Sequence, residues 1–262
     1  MGLLFGFTIA CYIVSSLGYQ GYILFQKRLV YRISNIVLWV GFICHTGVMI
    51  TQYLESGHIP VYSLYETLST FGWAVIGVFL ILQTKFHLMV LGALVAPLAT
   101  LAVIIASILP RPQVELAPFF QGLWRTVHLG TLVLGNAAFA IACLVGILYL
   151  IQERTIKDKK QGFFFRRLPS LKLLDSTGYA SLIVGFPLLT FGIISGIVYA
   201  QMVRGQFWSW DPREIFAVIT WLVYAALLHE RLAVGWRGKR AAIMTIVGFL
   251  VLLFTFFLFF LG

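Results

Sequence analysis

The chain alternates between long apolar stretches and short polar connections. A helix needs about 20 mostly apolar residues to cross a membrane, and stretches of that length recur from one end of the sequence to the other. They lie at about 3–25, 33–54, 66–83, 88–109, 125–152, 178–202, 215–233 and 241–262. The pattern predicts an all-α polytopic membrane protein, a bundle of about eight transmembrane helices in which residues 1–262 form a single domain.

Composition supports a membrane protein. Of the 262 residues, 60% are hydrophobic and 11% are charged, whereas about a quarter are charged in an ordinary soluble domain. Three cysteines, Cys11, Cys44 and Cys143, lie within apolar stretches and lack the spacing of a disulfide framework or a zinc site. The first 25 residues lack a basic start and a cleavage site, so they predict a retained helix rather than a signal peptide.

The basic residues are distributed unevenly between the connections. Fifteen of the 19 Lys and Arg residues follow the first, third, fifth and seventh apolar stretches, and seven of them lie in a basic connection at about 153–177. By the positive-inside rule these connections face the cytoplasm. Both termini and the connection at about 199–214 are then expected to face outward. Topology therefore accounts for the net charge of +10, and a nucleic-acid partner is not indicated.

Two helix starts carry capping sequences, and two helices contain proline. The segment Ser63–Glu66 (SLYE) has the S-x-x-E form of a capping box. In Asp211–Glu214 (DPRE) we expect Asp as the N-cap, Pro at the first helical position and Glu at the third, reaching back. Pro97 and Pro187 lie within apolar stretches and are expected to kink their helices, which frees carbonyl groups that need partners or a cavity.

Five histidines are the main candidates for chemistry, because ionisable groups in or at the edge of a membrane are rare and usually functional. They are His45 in the middle of the second helix, His58 in an outer connection, His87 in an inner connection, His128 at the outer end of the fifth helix and His229 at the inner end of the seventh. A histidine at a helix end is alternatively an interfacial side chain that reaches toward the headgroups. No two histidines have the spacing of a protein-only metal site, whereas haem needs one or two imidazole ligands and apolar walls.

One outer connection is rich in aromatic and charged residues and reads FWSWDPRE over residues 207–214. Aromatic rings, with Tyr199 upstream, would wall a flat ligand, and Arg204 and Arg213 could pair with haem propionates. The alternative is an aromatic belt at the headgroup level. A belt accounts less well for W-x-W set directly against a helix start, so we favour a ligand platform. Its members are Phe207, Trp208, Trp210 and Asp211.

Several segments resemble the CcsA (ResC) type of cytochrome c assembly protein. FWSWDPRE and the helix after it resemble the tryptophan-rich WWD signature of that family. Residues 55–66, which begin ESGHIP and end SLYE, resemble the family's E-S-G-H-x-P…N-L-Y-E segment. Residues 124–128 (WRTVH) resemble the histidine-bearing start of the helix before the basic loop, and residues 185–192 (GFPLLTFG) resemble the helix that leads into the WWD loop. The matches occur in order over nearly the whole chain.

The resemblance implies roles for two histidines. His128 matches the outer histidine that helps to ligate haem over the WWD platform, and His229 matches the membrane histidine that helps to hold haem nearer the cytoplasm. The implied cofactor is haem b, carried transiently as a transported substrate. The implied partners are a CcsB (ResB) membrane protein, apocytochrome c and a thiol-reducing thioredoxin-like protein. The implied location is the bacterial cytoplasmic (inner) membrane, with the WWD-like connection on the periplasmic side.

The chain departs from the family pattern in two places. The family usually reads W-A-x-E-x-W-G before W-x-W-D, whereas residues 199–205 read YAQMVRG. The family usually ends in a G-L-H-S-Y-like tail with a second outer histidine, whereas residues 260–262 read FLG. Either His58 or a partner chain supplies the second ligand, or one histidine holds the outer haem, or the protein is a paralogue with another role.

The sequence thus predicts the membrane subunit of a system II cytochrome c synthase, which binds haem, moves it across the membrane and presents it outside. No independent catalytic residue is evident, so the protein would act as part of a haem lyase complex. Serine-nucleophile, Walker A and dinucleotide motifs are absent from the sequence. The alternative function is a HemX-like membrane regulator of tetrapyrrole synthesis, and a weaker one, indicated by the prolines, is a general small-molecule carrier.

Overall fold

The computed structural model describes residues 2–86, 88–111, 123–159, 162 and 167–261. His87 lies outside these residues, and the side chain of Arg213 is likewise outside the described part. Over the described ranges, eight helices are long and apolar enough to cross a membrane. The expected all-α, polytopic fold is therefore confirmed.

The helices follow one another with short connections. They are α1 (Gly2–Phe25), α2 (Arg28–Ser56), α3 (Leu64–Phe86), α4 (Gly92–Ile108), α5 (Leu123–Lys157), α6 (Leu171–Arg204), α7 (Pro212–His229) and α8 (Lys239–Leu261). A 3-10 turn, Met89–Leu91, precedes α4, and a π-helical turn, Glu230–Val234, follows α7.

The two longest helices extend well beyond the apolar stretches that predicted them. α5 has 35 residues and α6 has 34, which at the rise of an α-helix makes each about 50 Å long, against a hydrocarbon layer of about 30 Å. Hydropathy marks the part of a helix that lies in hydrocarbon, whereas the backbone hydrogen bonds continue beyond it. Arg154 and Lys157 in the last turn of α5 favour this extension, because cations stabilise the carbonyl end of a helix.

The chain separates into two compact units, Met1–Gln121 (unit 1) and Gly122–Gly262 (unit 2). In unit 1, α1 packs against α2 and α4, and α3 packs against α4. Tyr12, Tyr19 and Phe79 are almost completely buried in its core. The assignment of the whole chain to one domain stays a prediction.

The capping box of α3 is confirmed. The Glu66 N–H donates to Ser63 Oγ at 3.2 Å, and the Ser63 N–H donates to Glu66 Oε2 at 3.2 Å. The same carboxylate oxygen accepts the N–H of Tyr62 at 2.8 Å. These bonds satisfy amide hydrogens that would otherwise be bare at the edge of a membrane.

Pro97 lies inside α4 and creates the free carbonyl that its sequence position predicts. Proline has no N–H, so the carbonyl of Ala93, four residues earlier, loses its helical partner. The side-chain amide of Gln20 on α1 donates to this carbonyl at 2.8 Å. The expected partner is therefore supplied by a neighbouring helix, which satisfies a group that would be costly to leave bare in lipid.

In unit 2, α5 packs against α6 and α8, and α7 packs against α8 and α6. The rings of Phe139 and Tyr224 stack in the core with centroids 3.7 Å apart and planes 8° apart. Because α5 and α6 are antiparallel neighbours, the first turns of α5 lie beside the last turns of α6. This end of the unit carries the connection between α6 and α7.

Candidate functional site

The connection between α6 and α7 begins with a left-handed glycine. Gly205 has φ 70°, and its N–H donates to the carbonyl of Gln201 at 3.0 Å. Glycine tolerates this conformation because it has no β-carbon. α6 therefore ends at Arg204, and the chain turns sharply into the aromatic segment.

The start of α7 follows the expected capping pattern, with one difference. The Asp211 carbonyl accepts the N–H groups of Glu214 and Ile215 at 2.9 and 3.2 Å, so Asp211 is the N-cap and Pro212 the first helical residue. The Glu214 carboxylate reaches back as predicted, but it extends beyond the cap and accepts the N–H of Ser209 at 2.8 Å. The carboxylate thus binds the connection as well as supporting the helix start.

Arg204 completes this arrangement. Its Nη2 lies 2.6 Å from Glu214 Oε1, and its Nη1 donates to Ser209 Oγ at 3.2 Å. We call Arg204, Ser209 and Glu214 the loop bridge, since they connect the end of α6, the middle of the connection and the start of α7. Arg204 was expected to pair with a haem propionate, and in this structure it is bonded within the loop. Its propionate role stays a prediction, as does that of Arg213.

Two aromatic side chains of the loop are exposed on the protein surface, and one of them has a strained backbone. Trp210 has φ 61°, a left-handed conformation that costs a residue with a β-carbon about 1–2 kcal/mol. Its side chain is 76% exposed and that of Phe207 is 61% exposed. The rings of Trp208 and Trp210 meet edge to face, with centroids 5.9 Å apart. A strained backbone that presents an exposed tryptophan is typical of a ligand-binding site.

His128 lies on α5 and is oriented by α6. Its Nδ1 is 2.8 Å from the carbonyl oxygen of Gly192 and 3.1 Å from Ser195 Oγ. Because a carbonyl only accepts, Nδ1 carries the hydrogen, and in the neutral ring the lone pair is on Nε2. A histidine that ligates a metal commonly has this arrangement, with its other nitrogen donating to a backbone carbonyl.

Small residues on α6 make room for the His128 ring. A β-carbon on Gly196 would lie 2.7 Å from His128 Cε1, so only glycine accommodates the ring here without a shift. Gly196 precedes Arg204 by about 12 Å along the helix. We call residues 205–211 the tryptophan loop, which is also the aromatic loop. His128 therefore lies toward the end of unit 2 that carries it. The contact between Gly196 and the His128 ring was not predicted from the sequence. Its signal there is the G-x-x-S-G spacing of residues 192–196.

His229 lies at the opposite end of unit 2. It is the last residue of α7, about 26 Å along the axis from Pro212, and its side chain is exposed. His128 therefore lies toward the end of unit 2 that carries the aromatic loop, whereas His229 lies at the other end. The assignment of both histidines as haem ligands stays a prediction.

His58 belongs to unit 1 and has the same tautomer as His128. Its side chain is 5% exposed, and its Nδ1 lies 2.9 Å from the carbonyl oxygen of Ile59, so Nε2 carries the lone pair in the neutral ring. The ring meets Tyr62 edge to face at 4.5 Å. Its role as a substitute ligand stays a prediction.

His45 is a core residue of unit 1. It is completely buried, with Nδ1 3.2 Å from Tyr12 Oη and Nε2 3.0 Å from Ser69 Oγ. Both ring nitrogens therefore take part in bonds that join α1, α2 and α3. Among the described residues, no three His, Cys, Asp or Glu side chains are grouped so that they could hold a metal ion.

The fold and the site together define a polytopic membrane protein with an oriented histidine toward the end of unit 2 that carries an exposed aromatic loop. The family described as "Cytochrome C assembly protein" matches residues 33–261. The chain therefore belongs to the cytochrome c assembly protein family.

Curated relatives agree with this assignment, and each carries the name "Cytochrome c biogenesis protein CcsA". The protein from Guillardia theta is 33% identical over 93% of this chain and 88% of its own length. The one from Chlamydomonas reinhardtii is 36% identical over 87% of this chain and 63% of its own length. The one from Synechococcus sp. (strain CC9902) is 31% identical over 95% of this chain and 87% of its own length. The resemblance to CcsA-type proteins is thus confirmed.

Proposed function

We propose that the protein is the haem-handling membrane subunit of a cytochrome c synthase. It binds haem b, moves it across the membrane and presents it outside to apocytochrome c. One observation carries this proposal: His128, with Nδ1 bonded to the Gly192 carbonyl, lies at the same end of unit 2 as the exposed tryptophan loop. Membership of the cytochrome c assembly family supports it.

The outer site suits haem because its parts match different parts of the ligand. Nε2 of His128 would ligate the iron, since Nδ1 already donates to a carbonyl. The rings of Phe207, Trp208 and Trp210 would lie against the macrocycle. Arg204 would keep Glu214 as its partner and offer its remaining N–H donors to a propionate, because a guanidinium has five.

A second, inner site would be centred on His229. Its exposed imidazole, at the other end of α7, would receive haem from the inner leaflet, and His128 would receive it next. A CcsB-like membrane protein is the proposed source of a further ligand at the inner site. At the outer site the second ligand would come from His58 or from a partner chain.

The bond-forming chemistry would take place between haem and its acceptor protein. A cysteine thiol of apocytochrome c adds across a haem vinyl group, so that a carbon–sulfur bond forms and the thiol hydrogen moves to the neighbouring carbon. This addition needs no net electron transfer and no nucleophile from this chain. The protein would orient the vinyl groups and hold the iron by axial ligation, while a thioredoxin-like partner keeps the acceptor thiols reduced.

The charge distribution supports an orientation for this process. With the basic connections in the cytoplasm, the tryptophan loop and both termini face outward, onto the periplasm in a bacterium. Haem would then be presented on the side where cytochromes c mature.

The test is the haem content of single-histidine variants. The full chain is purified with its CcsB-like partner, and haem spectra are recorded for His128→Ala and His229→Ala. Each variant should lose haem or change the absorption of the haem that remains, because each lacks one axial imidazole. Tyr53→Ala, which removes an exposed ring on α2, is the control and should leave the spectra unchanged. Unchanged haem in both histidine variants would overturn the site.

The regulatory alternative is separated by complementation. The comparisons do not favour a HemX-like role, since the relatives are named for cytochrome c biogenesis. In a strain that lacks its CcsA protein, the synthase subunit should restore covalent cytochrome c. A change in 5-aminolaevulinate production without restored cytochrome c would support the regulator instead.

A further inference from the structure

At the end of unit 2 where α7 finishes, one carboxylate is bonded to two separate segments. Asp175 on α6 lies 2.6 Å from Arg231 Nη2 through its Oδ2 and accepts the N–H of Gly238 at 3.0 Å through its Oδ1. Arg231 Nη2 also donates to the Asp175 carbonyl at 3.1 Å. We call these three residues the Asp175 clamp. It joins α6 to both ends of residues 230–238, the connection between α7 and α8.

The clamp is largely shielded. The Arg231 side chain is 8% exposed and that of Asp175 is 20% exposed, and the guanidinium lies 4.6 Å over the ring of Tyr179. A buried ion pair contributes little net stability, because the charges lose their hydration. Its bonds are directional, however, so its main effect is to select one geometry for the segments that it joins.

The segment held by the clamp begins directly after His229. The backbone there makes a π-helical turn, Glu230–Val234, and the N–H of Trp236 returns to the carbonyl of Glu230 at 3.0 Å. Helix ends ordinarily open with little cost, and π turns are common at functional positions. Arg231 stands two residues beyond His229, so the clamp holds the helix end that carries this imidazole.

We propose that Asp175 and Arg231 are positioning residues for His229. This inference rests on the proposed function, in which His229 ligates haem. A metal ligand must be held within about 0.5 Å of its productive position, and because the His229 side chain is itself exposed, it depends on its backbone for that rigidity. The clamp supplies that rigidity through the backbone of the π turn.

The test compares haem binding in two backgrounds. Asp175→Asn and the double variant Asp175→Asn with Arg231→Gln are made in His128→Ala, where His229 would hold the remaining haem, and in His229→Ala. The double variant removes both charges together, so that no unpaired charge is buried. In the His128→Ala background we expect haem affinity to fall about tenfold, as when an outer partner of a metal ligand is lost, with a shifted ferrous spectrum. The His229→Ala background should show neither change.

A matched control and a haem-independent readout accompany this test. Asp158→Asn removes a carboxylate that lies 3.9 Å from Arg154 on the exposed surface, and it should alter nothing. The position of residue 229 is followed by maleimide labelling of His229→Cys, corrected for the labelling of the parent chain. The clamp variants should change this labelling rate severalfold.

The outcomes separate the two proposals. Equal haem loss in both backgrounds, or an unchanged labelling rate, would overturn the positioning role. A changed labelling rate without any change in haem would support positioning and count against His229 as a haem ligand.

Discussion

At the scale of single residues, the site depends on one oriented ring and one strained backbone. The carbonyl of Gly192 sets which nitrogen of His128 carries the hydrogen, and Trp210, between Ser209 and Glu214 of the loop bridge, has a left-handed conformation. Neither feature improves the packing of the core. The left-handed backbone of Trp210 is the kind of local cost that a protein retains where a ligand binds.

The first residue-scale prediction separates strain from function at Trp210. Trp210→Asn should leave the free energy of unfolding unchanged or raise it by up to about 1 kcal/mol, because asparagine tolerates the left-handed region. Covalent cytochrome c formation should fall severalfold, because the ring is lost. Thermal unfolding in detergent and haem staining of cytochrome c measure the two effects. Phe207→Asn is the control, because it also removes an aromatic ring but relieves no backbone strain. Full cytochrome c formation by Trp210→Asn would contradict the role of Trp210 in a ligand platform.

Residue-scale features could be predicted from the sequence where their partners are close. The Ser63–Glu66 capping box and the N-cap at Asp211 follow from spacings of a few residues. The partner of Arg204 was not predicted, because a guanidinium that faces outward can meet either a ligand or a nearby carboxylate. Which one it meets depends on the turn at Trp210, and its left-handed φ has no signature in a residue other than glycine or asparagine.

At the scale of elements, α6 acts as the support of the site. Its small residues receive the His128 ring, and its last residue belongs to the loop bridge. One helix therefore contacts the proposed haem ligand His128 and ends at the aromatic loop. A change in its surface should be transmitted to the ligand without any change to the imidazole itself.

Gly196→Ala tests this transmission. Alanine favours a helix by about 1 kcal/mol relative to glycine, yet its β-carbon would lie 2.7 Å from His128 Cε1 and should displace the ring. We expect unchanged helix content by circular dichroism together with a shifted haem spectrum and lower haem content. Gly130→Ala, where a β-carbon meets nothing within 4 Å, is the matched control. An unshifted spectrum in Gly196→Ala would argue against Gly196 as the residue that makes room for the His128 ring.

Element types were predictable from the sequence, and element ends and pairings were not. Hydropathy reports residence in hydrocarbon, so each apolar stretch corresponds to a helix, whereas the extension of α5 and α6 into the polar region escapes it. The pairing of Asp175 with Arg231 joins residues far apart in the sequence. No local pattern reports it, because each charge by itself resembles an ordinary interfacial residue.

At the scale of the whole molecule, the chain is a multi-pass membrane protein whose two units each contain four helices in the described residues. The predicted outer histidine His128 and the tryptophan loop belong to unit 2, and His58 belongs to unit 1. The number of crossings could be predicted because membranes impose a length on every span. The division into units could not, because lipid-facing and helix-facing positions are equally apolar.

The orientation can be tested in intact cells. Ser209→Cys, in the tryptophan loop, should react with a membrane-impermeant maleimide added outside, because the charge distribution predicts that this loop faces outward. Arg237→Cys, in the return after α7, should react only after the membrane is made permeable. The parent chain with its native cysteines provides the background for both. The reverse pattern would invert the orientation and remove the basis for haem presentation outside.

The bond between Gln20 and the Ala93 carbonyl has a consequence for how this sequence can change. Pro97 leaves the Ala93 carbonyl without its helical donor, and Gln20 supplies a donor in its place. Each residue is therefore favourable only when the other is present. An apolar residue at position 20 is tolerable once position 97 regains an N–H, whereas an unaccompanied change at position 20 leaves the carbonyl of the buried Ala93 without this donor. Positions 20 and 97 are therefore expected to vary as a pair during evolution, although neither belongs to the proposed haem site.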